Sequence, residues 1–246
     1  MNVPCKRLMQ DSARLVASIM LSILAAAWLP HAAYAGSYVD LRRIESIRGD
    51  VASGAAKTTA CLACHGPSGN SIVDQFPRLA GQRADYLYHR LVAFKAVNPK
   101  DPSYGSSPMP AQTQNLSDQD MRNIAAYFAA QAPSAPVSPP AAVGAGRGEA
   151  LYSGGDPSRG VPPCQGCHGA GALGGPVESG SQYLTYPMLR GQHAAYLVSR
   201  LTNFRNGLPN ASSNDFIMHG VAHTLDDGSI QSLAAWLESL APATAK

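Results

Sequence analysis

Two short clusters carry most of the chemistry in this chain: Cys61-Leu62-Ala63-Cys64-His65 and Cys164-Gln165-Gly166-Cys167-His168. On a helical turn, positions i, i+3 and i+4 share one face, so both thiols and the imidazole of each cluster point the same way. This is the attachment pattern of c-type haem. Each thiol adds across one porphyrin vinyl group, and the histidine is left over the same plane to ligate iron. Paired Cys and His also serve zinc, and Cys-x-x-Cys serves as a redox dithiol. Two haem c groups are the expectation here, because every other feature of the chain agrees with them.

The cysteine count narrows the setting. Of five cysteines, Cys5 lies near the start and the other four all belong to the two clusters. No thiol remains for a disulfide, so thioethers to haem would be the cross-links.

The first 35 residues read as a targeting segment. Lys6, Arg7 and Arg14 precede an apolar run over 15–29, and Ala33-Tyr34-Ala35 offers a cleavage site before Gly36. The run is shorter than the roughly 20 residues that span a bilayer. A cleavable signal peptide at 1–35 and a periplasmic location are therefore expected, with a retained anchor as the alternative. The net charge is +3, falling to +1 when Lys6, Arg7, Arg14 and Asp11 are removed. No basic face suggests nucleic acid.

The elements that must position the clusters occur twice. Pro77-Arg78-Leu79-Ala80-Gly81-Gln82 returns as Pro187-Met188-Leu189-Arg190-Gly191-Gln192, and Tyr86-Leu87 with Leu91 and Phe94 returns as Tyr196-Leu197 with Leu201 and Phe204. The offset is 103 at the cysteines and 110 at the Pro-x-Leu-x-Gly-Gln element, which puts a seven-residue insertion between His168 and Pro187. The Pro/Ala-rich stretch 132–146 reads as a semi-rigid linker between an N-terminal domain, 36–131, and a C-terminal domain, 147–246.

Three main helices are expected in each half. The first runs over 50–64, or over 148–153 plus the motif turn. The second runs over 82–97 and 192–206. The third opens at Ser117, where Ser117-x-x-Asp120 has a capping-box pattern, and its counterpart opens near Asp226. Met121, Ile124, Ala125 and Phe128, and Ile230, Leu233, Trp236, Leu237 and Leu240, recur at helical period and read as core. No alternating run is long enough for a sheet. The fold class is all-α.

An iron held by one histidine needs a sixth ligand. Methionine thioether raises the potential and suits electron transfer. Outside the leader only Met109, Met121, Met188 and Met218 remain. Met121 lies inside a helical stripe, and Met188 aligns with Arg78. Met109, between two prolines, lies seven residues before Leu116, and Met218 lies seven before Leu225. Met109 and Met218 are thus in register, Met109 in a loop, and are the candidate axial ligands. His219 and His223 stay open as alternatives at the second site, since imidazole also ligates haem iron. His89 reads as a solvated helix residue and His193 as a surface or capping residue.

The whole chain after the leader resembles the dihaem cytochromes c of the cytochrome c4 family. The resemblance rests on Gly148-Glu149-Ala150-Leu151-Tyr152, on Gly160-Val161-Pro162-Pro163-Cys164, on Pro77-Arg78-Leu79-Ala80-Gly81-Gln82 and on Asn115-Leu116-Ser117-Asp118-Gln119-Asp120-Met121. It implies two tandem cytochrome c-like domains, each wrapped around one covalent haem. Cys61, Cys64, His65 and Met109 would serve one, and Cys164, Cys167, His168 and Met218 the other. It also implies a periplasmic carrier of single electrons between redox proteins, from a quinol-oxidising bc complex to a terminal oxidase, with no catalytic residues and at most peripheral membrane association. A cytochrome subunit fed by a periplasmic dehydrogenase is the alternative. A dihaem peroxidase, which needs a vacant iron, is opposed by the matched methionines. Two departures from the family pattern stand out. Gly228 raises the question of how the last helix is capped, and the longer Gly-rich loop 169–186 that of how exposed the second haem is.

Overall fold

Short polar residues, Asp50, Ser117, Ser212 and Asp226, cap four of the helices with side-chain bonds. The computed structural model of the chain describes residues 39–42, 44–100, 107–135, 145–175, 181–208 and 212–241. The expected leader, 1–35, and the middle of the expected linker, 136–144, lie outside these residues, as do 176–180 of the Gly-rich loop. The described residues hold ten α-helices and no strand, with two isolated bridges.

In the first half the order is α1 (Val51–Lys57), α2 (Thr59–His65), α3 (Ala84–Ala96), α4 (Met109–Thr113) and α5 (Asp118–Ala129). In the second half it is α6 (Ala145–Gly154), α7 (Gln165–His168), α8 (Ala194–Arg205), α9 (Ser213–Ala222) and α10 (Asp227–Ser239). The expected continuous helix over 50–64 is broken at Thr58. Its buried hydroxyl bonds back to the Ala55 carbonyl at 2.9 Å, and its N–H makes a three-residue bond to the same atom. A side chain that satisfies the backbone locally in this way competes with the helical ladder. In the second half the corresponding break is longer. A loop closed by paired bonds between Asp156 and Val161 separates α6 from the motif turn.

The capping box at Ser117 forms. Ser117 accepts from the Asp120 N–H, and Asp120 reaches back to the Ser117 N–H at 3.0 Å. These bonds, with Lys57 beside it, hold the Asp120 carboxyl down at about 2. The doubt over Gly228 is also removed. Asp226 accepts from the Ser229 N–H at 2.6 Å, so the cap lies before the glycine and does not need an acidic residue in its place.

The two halves are built alike. The first helix crosses the last, α1 on α5 and α6 on α10, and the middle helix packs against both the last helix and the short one before it. The apolar stripe of α5 closes the first core with Leu87 and Tyr88. The stripe of α10 closes the second with Leu151, Tyr152 and Leu197.

Glycine makes both crossings possible. A Cβ on Gly54 would lie 2.1 Å from the Asn123 carbonyl oxygen, and one on Gly148 would lie 2.0 Å from that of Ser232. Backbones meet there without a side chain between them.

From Ser37 onward the chain forms one compact unit, and the two halves are stitched together by a reciprocal pair of glutamines. Gln82 donates from Nε2 to the Met188 carbonyl and accepts at Oε1 from the Met188 N–H, at 2.8 and 2.9 Å. Gln192 does the same with Arg78, at 3.0 and 2.9 Å. Met188, expected to be filler, is therefore an interface residue through its backbone.

Gly148→Ala is expected to cost about 1–3 kcal/mol of unfolding free energy, because the crossing must open to admit a methyl group. Gly154→Ala, where a Cβ meets nothing within 4 Å, is expected to cost none. Denaturant unfolding of the haem-loaded protein measures both.

Candidate haem sites

Each histidine of the two clusters is buried, 7% exposed, and each has one ring nitrogen occupied by a proline carbonyl. His65 Nδ1 lies 2.9 Å from the Pro77 oxygen, and His168 Nδ1 lies 3.0 Å from the Pro187 oxygen. A carbonyl only accepts, so Nδ1 carries the proton and Nε2 keeps its lone pair. Burial pushes both imidazoles toward the neutral form. A neutral ring, oriented by a backbone acceptor through one nitrogen and free at the other, is how a metal-ligating histidine is held.

The residue after each histidine shapes the loop. Gly66 and Gly169 sit at φ +77° and +76°, a left-handed region that favours glycine. A Cβ there would also strike the carbonyl of Asn70 or Gly174, at 2.6 and 2.1 Å. The chain can therefore turn back under the ring and bring the proline carbonyl to Nδ1.

The cysteines lie on the same turns. Cys61 and Cys64 are on α2, and Cys164 and Cys167 flank the first residues of α7. Burial pushes the Cys61 thiol up and the Cys164 thiol up to about 11. Sulfur in such an apolar setting suits a thioether to a porphyrin edge. The surroundings also suit the group. The apolar stripe of the middle helix is buried at Leu87 and Leu197 and only partly covered at Leu91, Phe94, Leu201 and Phe204. In addition, the Thr224 hydroxyl is buried with no hydrogen-bond partner among the described residues.

The two candidate methionines are half-buried and in equivalent places. Met109 opens the short helix α4 packed on α3, rather than lying in a loop, and Met218 lies within α9 packed on α8. Helix α4 is held by Thr113, whose hydroxyl bonds the Met109 and Pro110 carbonyls. Helix α9 is capped by Ser212. His219 and His223 lie on the same helix but are exposed, each with Nδ1 at 2.7 Å from a carbonyl, of Phe204 and Gly220.

His89 is not where the sequence suggested, and His193 is so only in part, holding the capping position before α8 without being on the surface. His89 is half-buried against Tyr88, with ring centroids 4.9 Å apart, and burial lowers its affinity for a proton. His193 is 5% exposed, buried by the other half of the molecule.

Residues 51–131 match the family model for cytochrome c. Over 196 residues the chain is 38% identical to cytochrome c4 of Azotobacter vinelandii, covering 78% of this chain and 90% of that protein. The chain belongs to the cytochrome c4 family. The crystal structure of reduced recombinant cytochrome c4 from Pseudomonas stutzeri superposes with a TM-score of 0.68 at 37% identity, over 78% of this chain and all of that one. A thiosulfate dehydrogenase electron acceptor of Thiomonas intermedia is 32% identical over 185 residues, 74% of this chain and 78% of that protein.

The cytochrome c4 relationship carries the two cytochrome c-like domains, covalently bound haem c and a role in electron transfer rather than catalysis. The structural residues that sequence reasoning missed are Pro77 and Pro187, whose carbonyls accept from the histidines and orient them, Gly66 and Gly169 as the turn, and Gln82 and Gln192 as the stitch. All six are repeated in the sequence, and repetition was the available signal.

If the two sites are independent, Cys61→Ala with Cys64→Ala removes one covalently held haem and leaves the other. The intact mass of the acid-denatured protein is expected to fall by one haem, and by one haem also for the Cys164→Ala, Cys167→Ala pair.

Proposed function

We propose that this chain is a periplasmic dihaem cytochrome carrying single electrons from a quinol-oxidising bc complex to a terminal oxidase. Its signal peptide would be 1–35, its domains 36–131 and 147–246, and its linker 132–146. Cys61 and Cys64 would hold one haem and Cys164 and Cys167 the other. His65 with Met109, and His168 with Met218, would be the axial pairs. The observation that carries this reading is the matched geometry of the two halves: a neutral buried histidine tied to a proline carbonyl, and a half-buried methionine on a short helix against the middle helix.

When bound, haem supplies a one-electron ferric/ferrous couple. The residues supply the rest. The Pro77 and Pro187 carbonyls keep the imidazoles in one orientation and tautomer, which raises the basicity of Nε2. Met109 and Met218 would supply the remaining ligand of each iron and leave neither site open to peroxide, which argues against a peroxidase. The half-buried position of Met218, against the exposure of His219 and His223, favours the methionine. No helix among the described residues is long and apolar enough to cross a membrane.

A second reading has a specific support. The Thiomonas relative is named as the electron acceptor of a thiosulfate dehydrogenase, and a cytochrome serving a periplasmic dehydrogenase would keep the same sites.

Axial ligation is tested by the near-infrared methionine-to-iron band of the oxidised protein. Met109→Ala and Met218→Ala are each expected to remove one site's share. If Met218→Ala leaves its share intact, His219 or His223 is the ligand.

The donor is tested by stopped-flow reduction. The oxidised protein is expected to be reduced faster by a quinol-reduced bc complex than by a substrate-reduced thiosulfate dehydrogenase. The reverse order establishes the second reading.

A further inference from the structure

The two halves meet at a cluster that the haem sites do not use. His193 opens α8 of the second half, Glu238 lies in the last turn of α10, and Asp74 lies in the loop after the first haem motif. The His193 side chain is only 6% exposed, Glu238 is 20% exposed and Asp74 is 67% exposed.

The imidazole of His193 has a defined orientation. Its Nε2 is 3.0 Å from the Ser71 carbonyl oxygen. Arg78 Nε is also near Nε2, but at 3.4 Å, and both cannot be bonded to one nitrogen in their own sense. The shorter contact decides. A lone pair facing a carbonyl oxygen at 3.0 Å would be repulsive, so Nε2 carries the proton and donates to Ser71.

That leaves Nδ1 as a lone pair in the neutral ring. It faces Asp74 Oδ1 at 3.6 Å and Glu238 Oε1 at 3.7 Å. Three electron-rich atoms converge, and none is hydrogen-bonded to another. A proton on Nδ1 would draw a carboxylate to about 2.7–3.2 Å. The observed separations are longer, and close to the roughly 3.4 Å between donors on a tetrahedral ion with bonds of about 2.1 Å. The three donor atoms all lie within 4.8 Å of one another.

We propose that His193 Nδ1, Asp74 and Glu238 bind a divalent transition-metal ion, zinc by preference, that clasps the two halves together. The donor set of one imidazole and two carboxylates suits zinc, with water in the fourth place. The Nε2–H bond to a backbone carbonyl is the outer contact that ligating histidines make. Exposed Asp74 provides the way in. Arg78 lies on the Nε2 side of the ring, with Nη1 on the Ser134 carbonyl, and its charge offsets one carboxylate. Two carboxylates against one guanidinium leave a net negative site for the dication.

The test uses the full haem-loaded protein, titrated with zinc chloride against a chromophoric zinc indicator and followed by thermal unfolding with and without EDTA. One zinc per chain is expected at micromolar concentration, with a rise in unfolding temperature that EDTA reverses. Asp74→Asn, an exposed change that leaves the fold intact, is expected to weaken binding at least tenfold, and His193→Gln to abolish it. The exposed pair His219 and His223 is the competing site, and His219→Ala with His223→Ala is expected to leave the zinc in place. No binding by the unaltered protein at micromolar zinc overturns the proposal. So does binding that survives Asp74→Asn and His193→Gln, or that is lost with His219 and His223.

Discussion

The bond from a buried histidine to a proline carbonyl is the constraint on which the rest of the molecule depends. It cannot form unless the chain reverses immediately after the histidine, which requires Gly66 and Gly169. The chain must then return after a loop to present the proline, His65 to Pro77 in one half and His168 to Pro187 in the other. The residues that follow the proline have no freedom left. Arg78 and Met188, next in sequence, present their backbones to the glutamine of the opposite half. Gln82 and Gln192, at the end of the same short segments, reach across in return. One six-residue segment therefore orients the buried imidazole and joins the two halves. The orientation of each ring is mechanically linked to the contact between halves.

That contact is symmetric in its hydrogen bonds and asymmetric in its charges. The four glutamine bonds are matched pairwise, and each is worth about 0.5–1.5 kcal/mol. The residues next to the glutamines are Arg83 and His193, and they occupy the same position in the repeat. Arg83 donates to the carbonyls of Gly175 and Tyr183, at 2.5 and 2.7 Å, and so places a permanent cation in the loop of the second half. His193 approaches Ser71 and Asp74 in the first half, with an imidazole in place of the guanidinium. Arg90 and Arg200 also correspond, each lying over the phenylalanine four residues on, at 4.9 and 4.6 Å from the ring. Arg90 also forms an ion pair with buried Asp215 across the contact, at 3.2 Å. The repeat supplied the scaffold, and substitutions at the seam made the halves different.

Much of this was readable because it is local. The two haem motifs, the capping box at Ser117, the stripe of α5 and the start of α3 are all written in consecutive residues, and the ends of the expected helices differ from expectation by one to three positions. The misreadings have different causes. Thr58 breaks a helix through a hydroxyl bond that composition does not reveal. Proline before and after Met109 suggested a loop, yet Pro110 is tolerated in the first turn of α4, where its missing N–H would have had no partner. His193 holds the capping position that was one of its two expected roles, but its burial comes from atoms more than a hundred positions away, in the other half. Long-range burial has no signature in a single stretch of sequence.

The same seam also makes the two methionine helices unequal. Helix α4 is held by its own neighbourhood: Thr113 on Met109 and Pro110, Gln114 on Lys95 and Val97, and Lys95 on Gln114 and Leu116. Helix α9 is held by Asn214 on Thr185 within its half and also from outside it. The segment before the first helix runs across to it, with Ser213 N–H on the Val39 carbonyl at 3.0 Å and Leu41 N–H on the Ser213 hydroxyl at 2.9 Å. Arg90 holds Asp215 in its first turn from the same side. Local opening costs less free energy where fewer contacts must break at once. Parting the halves would remove the outside supports of α9 and leave those of α4 untouched. The surroundings of Met218 therefore depend on the contact between halves in a way that those of Met109 do not.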